Sequence, residues 1–497
     1  MKTNWARHLA TYGLGQALLN AFSFILLPIY THRVSPADFG VLEILNRSAD
    51  VLQMVLACGL FMATLSFYQH ESERPDSQAR VFPTAIRGVV IGGGIAVALL
   101  SVWAVPISHM LLGSRDYGWA VKLLLVTTVF EVLFQIGMLF LQARLKSAMF
   151  VMLTLARLLF GISVTIWLVT EWNWGIRGIL IANLLHTAVF AVIACAYVIY
   201  EHGFGFDMRL LREMVALGLP LLPSGVLMFV LNNGDRYVMQ STRGATELGL
   251  YALGYKIGRL GVMFVLTPFL KVWGAVMVRY AKEADGQRRI AEVATYFVLA
   301  YMTFSVALAF GADGVLHVLA PASYWSATQV VPIVLLSYLF WGLSTIADTA
   351  FYVKKTTRAK PVLMGMGAVV SLALYFLLIP RYGMMGGAWA TLGGFVVFYV
   401  ATVIVAQKTM PVRYEYMRML AITVLGCALY GAGGFLLSSP WLRMAAGAVG
   451  ALLLPALAFA FVASEHEREI ARGAWRQLVS WRQRRMAVAA AASEAQS

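Results

Sequence analysis

Charge is scarce in this sequence. Only 13% of its 497 residues are charged, where ordinary soluble chains carry roughly a quarter. With 60% of the residues hydrophobic, a chain of this length has too little interior to hide them, which excludes a water-soluble globule. Cysteine is nearly missing as well. Cys58, Cys195 and Cys427 are scattered through apolar segments without ligand spacing, so they read as inert buried thiols. Neither a disulfide framework nor a metal site follows from them. A Walker loop, HExxH, a nucleophile elbow and CxxC are all absent. The three glycines at 92–94 lie inside an apolar stretch and suit close helix packing better than a phosphate loop. No cofactor, no catalytic residue and no ATP-driven pumping are therefore expected of this chain, which is not read as an enzyme.

Long hydrophobic runs are what the sequence does have. Stretches such as 89–112 and 297–310 are of the kind that a hydrocarbon layer of about 30 Å demands of a spanning helix. Polar interruptions cut the chain into about fourteen apolar segments. They run over 8–30, 41–69, 84–112, 118–141, 148–170, 176–200, 213–240, 247–278, 291–311, 328–353, 361–380, 385–407, 417–438 and 442–463. Short alternating segments, the mark of a membrane β-barrel, are missing. The fold class is an all-α polytopic membrane protein. Its first run, from Leu9 to Tyr30, is too long for a signal peptide and lacks a cleavage site, so it is read as the first span.

Lys and Arg set the orientation. Placing the N-terminus in the cytoplasm puts 26 of the 39 in or beside cytoplasmic connections and tails, and 7 on the outer side. That asymmetry is the positive-inside pattern, and it accounts for the net charge of +15 without nucleic acid. KKTTRAK at 354–360 reads as an anchor beside anionic headgroups. After Phe461 the chain turns amphipathic, with Ile470, Ala474, Trp475, Leu478 and Trp481 on one side of a helix suited to the cytoplasmic membrane surface. Both termini are thus expected in the cytoplasm.

The chain also repeats itself. SPADFGVLEI (35–44) resembles GATELGLYAL (244–253) at an offset of 209, and WGIRGILIA (174–182) resembles YGMMGGAWA (382–390) at an offset of 208. Each unit holds six segments, an even number, so both halves share one orientation about a pseudo-two-fold axis along the membrane normal. The expected domains are a six-helix bundle over 1–205, a second over 206–412, an added helix pair over 413–464, and a cytoplasmic helix and tail over 465–497.

Ionisable residues inside spans are costly, roughly 2.5–3.5 kcal/mol each, and normally face a cavity or one another. Glu43, Arg47 and Asp50 share one face of the second segment at i, i+4 and i+7. Adding 209 to Arg47 and Asp50 gives Lys256 and Arg259 in the eighth segment, so the repeat sets these charges at equivalent positions on the two sides of a cleft. Both segments enter from the outer side, which puts the charges roughly 10–20 Å below that surface. Asp235 and Arg236, closing the seventh segment, either border an outward-opening vestibule near that level or mark a helix end at the headgroups. Arg157 has no evident local acid. Glu131, Asp348 and His186 are candidate charge partners or coupling groups, and Lys271 can snorkel inward. Bases in a low-dielectric cleft attract anions, phosphates above all. Tyr12, Tyr237, Tyr251, Tyr255, Asn20, Asn46, Asn232 and Asn233 suit sugar rings and hydroxyls, or equally helix–helix hydrogen bonds. The candidate cavity residues are therefore Arg47, Lys256, Arg259, Arg157, Asp235 and Arg236, with Glu43, Asp50, Glu131, Asp348 and His186 beside them.

Three stretches carry a family resemblance: LLPIYTHRVSPADFGVLEIL (26–45), NNGDRYVMQSTRGATELGLYALGYKI (232–257) and LLIPRYGMMGGAWATLGG (377–394). Over about residues 5–465 the chain resembles the polysaccharide-transporter (Wzx-like O-antigen flippase) branch of the multidrug/oligosaccharidyl-lipid/polysaccharide exporter superfamily. That resemblance implies two six-helix bundles in a V, two extra helices, and alternating access. It implies export of an undecaprenyl-diphosphate-linked oligosaccharide, such as a lipopolysaccharide O-antigen unit, across the bacterial inner membrane. Cationic cavity residues would hold the diphosphate or acidic sugars, and other polysaccharide-assembly proteins are conceivable partners. Drug exporters of the superfamily often carry a coupling carboxylate in the first helix, and 9–30 here has none. The alternatives are a transporter of another cargo, such as the lipid-linked peptidoglycan precursor or a drug, and a membrane enzyme of glycan assembly. The longest outer loop, 311–327, carries one Asp and one His, little for an enzyme to work with.

Overall fold

A backbone in hydrocarbon must satisfy its own hydrogen bonds, and helices do so within one segment. The computed structural model describes residues 28–462 apart from 29, 58, 71–74, 355, 357, 358 and 438. Most of the segment expected at 8–30, with Tyr12 and Asn20, lies outside the described residues, as do Cys58 and the helix and tail expected after 465. Among the described residues the elements are helices, and no strand occurs.

In chain order the helices are α1 Pro36–Ala57, α2 Leu60–His70, α3 Pro75–Val102, α4 Ala104–Leu112, α5 Gly118–Ala143, α6 Ser147–Ile166, α7 Gly175–His202, α8 Met208–Gly218 and α9 Leu222–Arg243. They continue with α10 Ala245–Gly258, α11 Thr267–Ala281, α12 Gly286–Leu319, α13 Val331–Ala347, α14 Lys360–Thr409, α15 Tyr416–Leu436 and α16 Pro440–Val462. Eleven stretches among the described residues are long and apolar enough to cross a membrane, which makes this a multi-pass membrane protein. The segments expected at 361–380 and 385–407 are the two helices of α14, which meet at Gly383, whose φ of 56° and ψ of −133° are not helical. One departure from the expected segments has a local cause. The segment at 213–240 is instead two helices, α8 and α9, joined through a 3-10 turn at Leu219–Leu221 that contains Pro220. It is not among the eleven stretches. Asp207 starts α8 by accepting from the backbone N–H groups of Arg209 at 2.9 Å and Leu210 at 3.2 Å.

The chain forms two compact units. One comprises residues up to Leu260 with Val315–Ser344 and Lys355–Val405. Its core includes a stack of edge-on rings, with Phe82 5.0 Å from Tyr68 and 5.1 Å from Phe140. The other comprises Gly261–Gly314, Thr345–Lys354 and the chain from Ala406 onward. Within it, Phe310 packs on Tyr430 at 5.1 Å, Arg443 pairs with Asp313 at 2.7 Å, and Thr295 donates to Glu415 at 2.7 Å.

The repeat is visible in the first unit as contacts made twice with roles exchanged. Where α1 crosses α10, a methyl group on Gly40 would drive into the Ala245 carbonyl, and one on Gly249 into the Pro36 carbonyl. Gly40 and Gly249 are 209 residues apart, and so are Pro36 and Ala245. Only glycine permits this approach from both sides. Close by in the chain, Thr31 donates to the Leu319 carbonyl at 2.7 Å and Gln240 to the Leu112 carbonyl at 3.1 Å. Thr31 and Gln240 are again 209 apart. Gly175 and Gly383, matched at an offset of 208, both take positive φ, 49° and 56°. A pseudo-two-fold relation thus runs between α1 and α10.

Candidate functional site

Gly40, Glu43, Arg47 and Asp50 lie at i, i+3, i+7 and i+10, one face of α1. From the glycine crossing, the charges follow at successive turns. Glu43 comes first. Its Oε1 accepts from the Arg236 Nε of α9 at 3.1 Å, and the Arg47 Nε lies equally near, at 3.1 Å, though out of line for a hydrogen bond. Arg47 turns its Nη1 to Asp50 at 2.6 Å. Lys256, the repeat partner of Arg47, sits in the field of both Glu43 and Arg47. Arg259, the repeat partner of Asp50, is exposed and acts on Asp50. The positions linked by the offset of 209 are therefore brought together across the pseudo-axis.

Asp235 and Arg236 are not at the edge of a vestibule. Their side chains are 1% and 4% exposed. Arg236 Nη1 donates to both Asp235 carboxylate oxygens, at 2.7 and 2.9 Å, and to the Asn232 carbonyl at 2.9 Å. Its guanidinium lies 4.1 Å from the centre of the Tyr255 ring, and the Tyr251 hydroxyl donates to Asp235. Every charge in this knot meets its opposite at hydrogen-bond distance, so water is not required. Removing one partner of such a buried pair costs about 3–5 kcal/mol. Tyr251 and Tyr255, which the sequence suited to sugar contacts or equally to helix–helix hydrogen bonds, are buried here as walls of that knot and hydrogen-bond within the protein. Tyr237 instead shares a hydrogen bond with Ser48 at 3.2 Å.

A second cluster forms where α5, α6 and α7 meet. Arg157 has its acid after all. It donates Nη1 to Glu131 Oε1 at 3.3 Å and Nη2 to Glu131 Oε2, with Thr187 at 3.2 Å and His186 Nδ1 at 3.4 Å. Its face lies over Phe134 at 4.2 Å. These groups line a cavity of about 450 Å³ that also reaches Asn46, Arg47 and Asp50 of α1. A neighbouring cavity of about 680 Å³ shares Glu131, Arg157 and His186 with it and continues among Phe61, Met138 and Phe150. The space is thus polar at the Arg47 end and increasingly apolar away from it. Asp348 and Lys271 belong to the second unit, the first buried and the second exposed.

Sequence reasoning named Glu131 and Glu43 as candidate charge partners but did not assign them to Arg157 and Arg236, which lie 26 and 193 residues away. It also missed Glu247, whose Oε1 accepts from the Met384 N–H at 2.8 Å beside the break in α14. A signal for that tie existed in the matched glycines at 175 and 383.

Comparison with known proteins gives a consistent picture. The profile of a family described as polysaccharide biosynthesis protein matches residues 33–329. Among solved structures, the lipid II flippase MurJ in an inward closed conformation superposes with a TM-score of 0.71 at 12% identity, over 92% of this chain and 99% of that one. An inward-facing multidrug-resistance MATE transporter of the MOP superfamily gives 0.63 at 14% identity, over 82% and 95%. A MOP-superfamily transporter from Pyrococcus furiosus gives 0.55 at 14% identity, over 83% and 96%. No curated protein sequence matches. The solved structures share the fold, and the profile match covers more than half of the sequence. The chain belongs to the polysaccharide biosynthesis protein family.

Proposed function

We propose that this protein flips a lipid-diphosphate-linked oligosaccharide, such as an O-antigen repeat unit on undecaprenyl diphosphate, across the bacterial inner membrane by alternating access. The observation that carries this reading is that Arg47, its repeat partner Lys256, and Arg259, the repeat partner of Asp50, stand in one charged cluster, with Arg47 lining the polar end of an internal cavity. Guanidinium and ammonium groups at that depth compensate a diphosphate that bare hydrocarbon would reject. Arg157 offers a further cation on the cavity wall. The apolar continuation among Phe61, Met138 and Phe150 suits the non-polar part of such a cargo, and the polar end suits its sugars. The halves that rock against one another are the bundles over 1–205 and 206–412, with 413–464 as an added pair. With both termini in the cytoplasm, as the Lys and Arg distribution favours, the glycine crossing lies at the outer end and holds it shut.

In the double variant Lys256→Ala, Arg259→Ala we expect loss of surface polysaccharide and accumulation of the lipid intermediate on the cytoplasmic leaflet. Wild-type polymer in that variant removes the site from the mechanism. A second reading, transport of a lipid-linked peptidoglycan precursor, is favoured by the full-length likeness to MurJ. Translocation of the two fluorescent cargoes by the purified protein in vesicles decides between them.

A further inference from the structure

Four cations and three carboxylates make up the axial cluster: Arg47, Arg236, Lys256 and Arg259 against Glu43, Asp50 and Asp235. Asp235 alone, held by both of its oxygens, is sufficient counter-charge for Arg236. Asp50 serves Arg47 and lies in the field of Arg259. Glu43 is therefore the carboxylate not already committed to one arginine, and it lies where the cations converge. Its Oε1 is 3.1 Å from the Nε atoms of both Arg47 and Arg236, and Lys256 is in its field. It also sits one turn along α1 from Gly40, and its bond to Arg236 ties α1 to α9 next to the crossing.

We propose that Glu43 is a built-in stand-in for the phosphate of the cargo. It fills the axial cation site when the cleft is empty and so holds the crossing of α1 and α10 closed. The inference rests on the reading of these cations as the diphosphate site. A diphosphate diester brings two negative charges to a cluster whose balance is one positive. The excess is relieved when Glu43 gives up Arg47 and Lys256 to the phosphates and swings out of the cluster. Arg236 stays neutralised by Asp235, so the exchange strands no buried charge. Losing the tie between α1 and α9 loosens the one face on which Gly40 and Glu43 both stand, and cargo binding thereby releases the closed end. Glu43 is a positioning residue in this scheme.

The test uses the full chain in lipid nanodiscs, with inorganic pyrophosphate as the probe and two readouts. One is pyrophosphate affinity. The other is trapping of the closed end by a short bifunctional thiol reagent between Leu112→Cys and Gln240→Cys, in a background with the three native cysteines replaced by alanine. Glu43→Gln, which keeps the shape and removes the charge, is expected to bind pyrophosphate ~10-fold more tightly, the size of an ordinary coupling between linked sites. It is also expected to be trapped less even without ligand. Glu43→Asp, keeping the charge on a shorter arm, should fall between it and the wild type and guards against a mere folding defect. Pyrophosphate itself should reduce trapping in the otherwise unchanged chain. Unaltered affinity and trapping in Glu43→Gln overturn the proposal while leaving the flippase reading intact, provided Lys256→Ala, Arg259→Ala still abolishes pyrophosphate binding. If that double variant binds like the wild type, the cation site falls, and the role of Glu43 with it.

Discussion

Two arginine–carboxylate clusters stand in the first unit, and they differ in access to open space. Around Arg236 the charges are buried, capped by tyrosine rings, and matched atom for atom. Around Arg157 the same chemistry is left partly open, with the arginine and Glu131 side chains 18% and 26% exposed on a cavity wall. A closed pair specifies structure, because either partner alone is stranded in a low dielectric. An open pair can change partners when a charged cargo arrives. Residue type does not distinguish the two; the neighbours do.

The strongest way to break the comparison is to open the closed pair. Asp235→Ala is expected to destabilise the fold by about 3–5 kcal/mol, seen as loss of membrane-inserted protein and a lower thermal midpoint in detergent. Arg157→Ala should do the opposite: normal yield and thermal midpoint, but reduced translocation of a lipid-linked glycan in vesicles. If Arg157→Ala proves as destabilising as Asp235→Ala, the distinction between closed and open pairs fails. Tyr255→Phe sharpens the picture, since it keeps the ring over Arg236 and removes only the hydroxyl bonded at 3.2 Å to Tyr338. About 0.5–1.5 kcal/mol should be lost, read from the thermal midpoint.

The smallest effect is expected at Lys146, between α5 and α6. It donates to Glu201 at 2.6 Å and to Tyr197, and these two hydrogen bonds hold its ammonium above the ordinary lysine range. A raised lysine stabilises fully below its unfolded value and loses that contribution as pH climbs through the folded one. The tie should therefore be complete at neutral pH and weaken only under strong alkali. For a side chain this exposed, Lys146→Ala should change stability by less than about 1 kcal/mol in chemical unfolding.

Much of this was legible beforehand, for a physical reason. Spanning helices announce themselves by composition, and the offset of 209 links Arg47 to Lys256 and Asp50 to Arg259 in the sequence itself. The spacing 43, 47, 50 gave one face of one helix. Periodicity says which residues share a face, but not which helix that face meets. Hence the partnership of Glu43 with Arg236, the pairing of Arg157 with Glu131, and the burial of Tyr251 and Tyr255 came only from the fold. The break within α14 was legible too: Pro380 and Gly383 mark the end of one helix and the start of the next.

Reciprocity at Gly40 and Gly249 carries one more consequence. A contact formed twice with exchanged roles is what two identical chains make about a two-fold axis. Such a seam needs a single surface used against itself, so copying one half of a gene delivers both sides ready-matched. It also means that drift on either copy injures the shared seam, which ties the two halves together as their other features diverge.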